Sequence, residues 1–569
     1  MSAGADPIAR IEGGQGALLD RLYQSLAEAD GPPASRIDAL RQARRAATAV
    51  EQTLRSEGYY GARVTAQALR VTPDDERFEA VVRVEPGEAY VFAPASLVYV
   101  DQAPPDAVQA LAGDALALEP GAPARAETVL AVERAVLAAL EQAGYPEARA
   151  EPREAVVDHR TKTLTVAYYI DAGRPAVLGP VVNVGPGRAR ADYLARITPF
   201  AVGDDYDRSL LGELAERLSS SGAYRSVSVG LAPSDPTGEG VETRLVEVRV
   251  DDTPRRSISA GASFSTSEGP GAEAEWQKRN LAGRGDILTV QARLATIERA
   301  VTGLFDRPHF LTPERLLSLS GRAGQDDTDA FERIGVDFGA AINQPVFDRW
   351  RVSAGGEVGF GRLSDALGEQ TQVTGALPAA AIYDSRDNAL NPTRGARLSL
   401  SAGPAVTLGD LTTLFAQVSA EGRTYHAIGD RWVLAGRARV GTLLGAEAEE
   451  VPADARFFAG GGGSVRGFDF QGLSPLTDDG ALLGGRSLIE VSGEVRARVR
   501  GPLGVVGFVD AGAAGLALRP EFEDLDLGAG FGLRWHTDFG PLRADLGFPL
   551  TGREGQPPIQ IYLSIGQAF

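Results

Sequence analysis

The 569-residue chain has no cysteine. No disulfide framework and no thiolate site can form. Histidine is scarce: His159, His309, His426 and His536 are scattered and lack metal-ligand spacing. Neither a G-x-S-x-G elbow nor a G-x-x-x-x-G-K-[ST] loop occurs. No enzyme, cofactor or metal is therefore expected, and a barrel with a fused lipase is disfavoured. Positive charge is in deficit, with 57 Lys and Arg against 76 Asp and Glu, a net charge of −19. That balance argues against nucleic acid, whose backbone attracts lysine and arginine. No apolar run reaches the ~18 residues of a membrane-crossing helix. This does not exclude the membrane, because barrel strands are short and individually weak signals.

Glycine and proline are plentiful, 68 and 34 residues, as many strands and turns require. From about Arg255 onward the chain alternates with period two, the strand signal. In Ile489 to Arg500, Val491, Val495 and Val499 share one face, while Glu490, Glu494, Arg496 and Arg498 share the other. Leu525 to Trp535 and Leu542 to Phe548 alternate likewise, the latter with Arg543 and Asp545 on the polar side. A charged face opposite an apolar one predicts a transmembrane barrel with lipid outside and a polar lumen inside. A soluble sandwich with one wet face is the alternative, but it needs no ladder of inward arginines.

Residues 459–475 read AGGGGSVRGFDFQGLSP. The glycine run permits positive φ and close backbone approach. Arg466 places a permanently charged planar fork between Val465 and Phe468. This predicts a loop tucked into an enclosed polar space where the fork meets carboxylates.

Before Arg255 one unit recurs. Helices from about Ile37, Arg125 and Arg208 end at Gly58-Tyr59, Gly144-Tyr145 and Gly222-Ala223-Tyr224, with glycine where a helix C-terminus wants positive φ. Each has a helical stretch before it and two strands after it: Arg63 to Leu69 and Phe78 to Val84, Ala148 to Ala155 and Thr163 to Ile170, Ser226 to Ala232 and Glu242 to Val250. The unit reads strand–helix–helix–strand–strand, and its first copy opens on a short, glycine-rich strand near Ile8 to Glu12.

Such repeats resemble POTRA domains. Three of them before a barrel resemble the BamA/TamA/FhaC outer-membrane assembly and translocation superfamily, and within it the three-repeat TamA branch. The C-terminal half carries the specific motifs: VRGF at Val465 to Phe468, GFVDAG at Gly507 to Gly512, YDSRDNALNPTRG at Tyr383 to Gly395, and alternating Ile559, Ile561, Leu563 and Ile565 before Phe569. The resemblance implies a multidomain chain with POTRA repeats at 1–88, 89–174 and 175–253. A 16-stranded antiparallel transmembrane barrel would follow at 254–569, with the loop at 459–475 folded inward. It implies that Arg466, with Gly467 and Phe468, anchors that loop on Glu494 and Asp510. Without it, those carboxylates could simply line a wet pore and pair with Arg496 or Arg498. It further implies a lateral seam between the first barrel strand (Ile258, Ala260, Ala262, Phe264) and the last, about Pro558 to Phe569 (Leu563, Ile565, Gly566, Phe569). An ordinary porin would instead keep its seam shut.

The implied function is insertion or translocation of autotransporter-type and other outer-membrane proteins. The alternative is a two-partner secretion pore exporting a soluble protein through its lumen. Implied partners are a TamB-like inner-membrane-anchored periplasmic protein, unfolded outer-membrane clients and outer-membrane lipid, with the repeats in the periplasm. Met1-Ser2-Ala3-Gly4 lacks a basic n-region and an apolar h-region, so the natural leader is expected to be missing from this sequence.

Overall fold

A computed structural model describes residues 7–28, 31–72, 77–235, 240–266, 268–410, 412–522, 525–537, 540–552, 556–565 and 567–569. The chain divides into two compact units. One comprises 1–181 with 199–213 and 230–247; the other comprises 182–198, 214–229 and 248–569. The division does not fall at the expected 253/254 boundary.

In the first unit, strand Arg10–Glu12 pairs in parallel with Phe78–Glu85, which pairs antiparallel with Arg63–Arg70. Helix Arg36–Ser56 covers this sheet with small residues: Ala39, Ala43, Ala46, Val50 and Leu54 are buried, and most of them pack on Ala80, Val82 and Val84. Ser35 caps the helix by accepting from the Asp38 N–H at 3.2 Å. At its other end Gly58 has φ +91°, and the Tyr59 N–H reaches back to the Leu54 carbonyl at 2.8 Å. The same closure recurs at Gly144 (φ +94°), with the Tyr145 N–H on the Leu140 carbonyl at 3.0 Å. These bonds satisfy carbonyls that a helix end leaves open.

The second sheet centres on Thr163–Asp171, which pairs in parallel with Val91–Phe92 and Ser96–Tyr99 and antiparallel with Arg149–Ala150 and Glu154–Asp158. The single strand expected over Ala148 to Ala155 is thus two pieces. Pro152 lies between them, and proline cannot donate to a ladder. Helix Ala126–Gln142 closes this core, with the Tyr168 hydroxyl donating to the Val129 carbonyl at 3.0 Å.

Elements in the third expected position are strand Ala176–Asn183, helices Ala191–Ile197 and Arg208–Ser220, and strands Tyr224–Leu231 and Glu242–Asp252. Part of this stretch belongs to the barrel's unit through polar contacts. Arg284 pairs with Asp192 at 2.6 Å, Asn280 Nδ2 donates to the Arg188 carbonyl at 2.7 Å, and the Arg190 N–H donates to the Gly283 carbonyl at 3.1 Å.

The barrel is closed and antiparallel throughout, each strand paired to its sequence neighbours. Seventeen strand segments make sixteen strands. Gly368–Ala376 and Ala379–Asp384 are halves of one, since both pair with Trp350–Asp365 on one side and Gly395–Gly409 on the other. Leu377-Pro378 breaks it, and the ladder recovers through the Gly355 N–H on the Pro378 carbonyl and the Leu377 N–H on the Pro404 carbonyl, both 2.9 Å. Val491, Val495, Phe531, Leu533 and Trp535 are exposed on the outside, while Glu490, Glu494, Arg496, Asp510 and Asp545 are buried inside. The barrel excludes the sandwich alternative.

All four tryptophans, at 276, 350, 432 and 535, lie on barrel strands, and every described α-helix ends by Ser220. Tryptophan fluorescence thus reports on the barrel, while most of the described helix, including Arg36–Ser56 and Ala126–Gln142, lies in the first unit. Ala43→Leu overpacks the first sheet and should cost about 1–3 kcal/mol. The helical circular-dichroism transition in denaturant should move to lower concentration, with the tryptophan fluorescence transition unchanged. Coincident shifts of both would contradict independent cores.

Candidate functional site

The long segment between strands Trp432–Leu444 and Ser487–Arg500 returns into the lumen. Gly460, Gly461 and Gly467 hold φ between +100° and +107°, a left-handed region open to glycine at little cost. Close contact adds a second demand at Gly467, where a Cβ would stand 2.7 Å from the Phe548 carbonyl carbon. The wall yields in return. A Cβ on Gly528 would lie 2.0 Å from the Arg466 oxygen, and one on Gly547 would lie 2.7 Å from the Gly467 nitrogen. The loop rests backbone to backbone on the barrel wall.

Arg466 is 2 % exposed. Its Nε donates to Asp510 Oδ2 at 2.7 Å and its Nη2 to Asp510 Oδ1 at 2.9 Å, a bidentate fork. Nη1 donates to Glu494 Oε1 at 2.7 Å and to Asp545 Oδ2 at 3.3 Å. The Arg466 N–H adds a bond to Asp510 Oδ2 at 3.1 Å. The guanidinium carbon sits 3.5 Å above the centre of the Phe508 ring. Three carboxylates within ion-pair distance offset the cost of burying it. The guanidinium remains charged. Val465 and Phe468 pack into an apolar cluster with Phe457, Leu473 and Leu488.

The sequence pointed to Glu494 and Asp510, and both stand at the fork. It missed Asp545, Phe508 and a second anchor. In that anchor Arg437 Nη2 donates to Glu490 Oε2 at 2.8 Å and Nη1 donates to the Gly463 carbonyl at 2.9 Å, while Ser464 donates to Glu490. Asp545 and Glu490 were visible on the polar face of their strands, but parity does not tell which of many inward carboxylates the loop meets. A sharper signal was present in Gly528, Gly530 and Gly532, a small-residue row alternating with Ala529, Phe531 and Leu533. Such a stripe marks where another chain segment approaches a strand.

At the seam, strand Arg256–Ser265 pairs with its other neighbour Gly269–Arg279 over ten residues. Toward the last strand, Gln560–Ile565, the register holds two pairs among the described residues, Phe264 with Leu563 and Ser265 with Tyr562. The Thr266 N–H extends it to the Ile561 carbonyl at 3.0 Å. Ile258, Ala260, Ala262 and Phe264 are exposed, as are Leu563 and Ile565. The strand expected to run to Phe569 stops at Ile565, and Gly566 lies outside the described residues. Phe569 is not at the seam. It is buried against Tyr425 and Ala435, with the Arg496 guanidinium over both aromatic rings and donating to the Phe569 oxygen at 3.1 Å. Burial of the ring and a charge-assisted bond hold it inside.

The last strand is instead tied to the loop. The Tyr562 hydroxyl accepts from the Gly467 N–H at 3.1 Å, and Gln560 Nε2 donates to Asp469 Oδ1 at 2.7 Å.

Residues 280–569 match the Omp85 superfamily domain. The chain belongs to the Omp85 superfamily. Among curated relatives it is 25% identical over 427 residues to an outer membrane protein assembly factor BamA of Nitratidesulfovibrio vulgaris, covering 71% of this chain and 53% of that protein. It is 23% identical over 416 residues to a BamA of Neorickettsia risticii, covering 68% and 54%. The chain thus spans about half the length of these relatives. Among solved structures, BamA from Haemophilus ducreyi lacking POTRA domains 1–3 superposes with a TM-score of 0.69 at 18% identity, covering 84% of this chain and all of that one. At that identity the likeness concerns the fold.

Arg466→Ala leaves three buried carboxylates without their shared cation and should cost roughly 3–5 kcal/mol. Arg466→Lys supplies a point charge without the fork and should recover only part. Protease protection of residues 445–486 in the folded barrel measures this. Equal protection of wild type and Arg466→Ala would contradict the anchoring role.

Proposed function

We propose that this Omp85 protein inserts other outer-membrane proteins into the outer membrane through the seam between its first and last barrel strands, with its N-terminal repeats in the periplasm. The two-pair seam carries this reading. Backbone groups left unpaired toward lipid cost several kcal/mol each, so a barrel can open only where few bonds break or a client strand replaces them. Among the described residues the first strand shares ten pairs with one neighbour and two with the other. Its free edge is suited to strand addition by an extended client. The last strand is steadied by six pairs with Gly540–Pro549 and by the loop contacts of Tyr562 and Gln560. The moving partner is therefore the first strand.

The relatives named as assembly factors support the same class of activity. The three-repeat organisation favours the TamA branch, with POTRA boundaries near residues 88, 174 and 253. Autotransporter-type clients and an inner-membrane-anchored TamB-like partner belong to that reading. Export of a soluble protein through the lumen is less well supported, because the loop pinned by Arg466 occupies that path.

Phe264 and Leu563 face each other in register in a chain without cysteine. Phe264→Cys with Leu563→Cys should form a disulfide that locks the seam. Oxidised protein in proteoliposomes should lose client insertion, and reductant should restore it. A crosslink verified by gel shift that leaves insertion intact would sink lateral opening and favour lumen export.

A further inference from the structure

At the barrel end opposite the inward loop, the lumen holds a chamber of about 410 Å³. The short turn 429–431 and the longer turn 385–394 rim it. Five arginines line it, Arg394, Arg431, Arg496, Arg498 and Arg534, against two carboxylates, Asp387 and Asp430. One of those carboxylates is already committed. Asp387 Oδ1 accepts from the N–H groups of Asn388, Thr393 and Arg394 at 2.9–3.2 Å, and Oδ2 accepts from the Thr393 hydroxyl at 2.5 Å.

The arginines fall into two sets. Arg534 is spent on Asp545 and on Gln567, which it meets at 2.9 Å. Arg496 is buried and only partly used. Its Nε donates to Glu494 Oε2 at 2.8 Å and its Nη2 to the Phe569 oxygen at 3.1 Å, but Nη1 has no partner among the described residues. Arg394, Arg431 and Arg498 are exposed at the rim, and no ion pair forms at their side chains among the described residues. A buried guanidinium N–H without an acceptor is costly, and like charges gathered in a low-dielectric cleft focus a positive field.

We propose that this chamber binds a phosphate-class oxyanion, either free phosphate or the phosphate of an anionic phospholipid headgroup. Guanidinium forks match phosphate oxygens bidentately. Guanidinium groups carried by separate strands and turns around one chamber favour a ligand whose acceptor oxygens point in several directions. A tetrahedral phosphate provides these, whereas a carboxylate offers two oxygens in one plane. Turn 385–394 closes the chamber on one side, with Asn391 Oδ1 accepting from Gln567 Nε2 at 2.9 Å.

The experiment is calorimetric titration of the full chain in a neutral maltoside detergent with inorganic phosphate, at constant ionic strength, with chloride and acetate as references. Saturable binding of phosphate well above both references is expected. Arg394→Gln with Arg498→Gln should weaken it about tenfold or more, as loss of charge-assisted bonds does. Arg519→Gln, outside the chamber, should leave it unchanged. Arg496→Gln should abolish it but also disturbs Glu494, so the rim double variant decides. Competition by soluble glycerophosphoglycerol assigns the site to a lipid headgroup, and its absence assigns it to free phosphate. Phosphate heats no larger than those of chloride, or binding unchanged in the rim double variant, would overturn the proposal.

Discussion

The barrel's interior is organised around one buried cation. Arg466 carries a single positive charge to a place where Glu494, Asp510 and Asp545 converge from three strands. Without it those carboxylates would repel one another away from bulk water, and breaking such a cluster costs far more than a surface pair. Arg496, Arg534 and Arg543 complete the balance, each within ion-pair distance of Glu494 or Asp545. The fork fixes both the depth and the rotation of the loop, because a bidentate pair tolerates little misalignment.

That fixed loop shapes the seam. Tyr562 and Gln560 on the last strand bond to loop residues Gly467 and Asp469, so the inner face of the weakly paired strand is held while its outer edge is nearly free. The asymmetry separates two roles usually combined in one ladder. Lateral hydrogen bonds are few where the barrel would part, and the strand's position is kept by side chains reaching inward. Phe569 adds to this by burying itself against Tyr425 and Ala435 rather than extending the ladder.

Much of the architecture was legible in the sequence, because it depends on local rules. Period two in residues 489–500 separated Val491 and Val495 from Glu494 and Arg496 without knowledge of any partner strand. The helix ends at Gly58 and Gly144 were readable because a left-handed C-terminal residue favours glycine. Pro152 was equally visible, yet its interruption of a strand passed unread, since the flanking alternation continues through it. Arg466 announced itself by isolation among apolar and glycine residues.

What only the tertiary structure decided is which distant residues meet. Parity put Glu490, Glu494, Asp510 and Asp545 inside alike, but strand register and loop depth assign three to Arg466 and one to Arg437 and Ser464. The two-pair seam follows from how sixteen strands close on themselves, a global condition that no segment encodes. The inward turn of Phe569 has the same character: its alternating strand reads as continuing, and only the buried ring of Tyr425 and the guanidinium of Arg496 make the lumen the better place for it. Sequence fixes the faces of each strand because side-chain direction is a local property of the backbone. Partners across the barrel depend on closure, which the whole chain settles together.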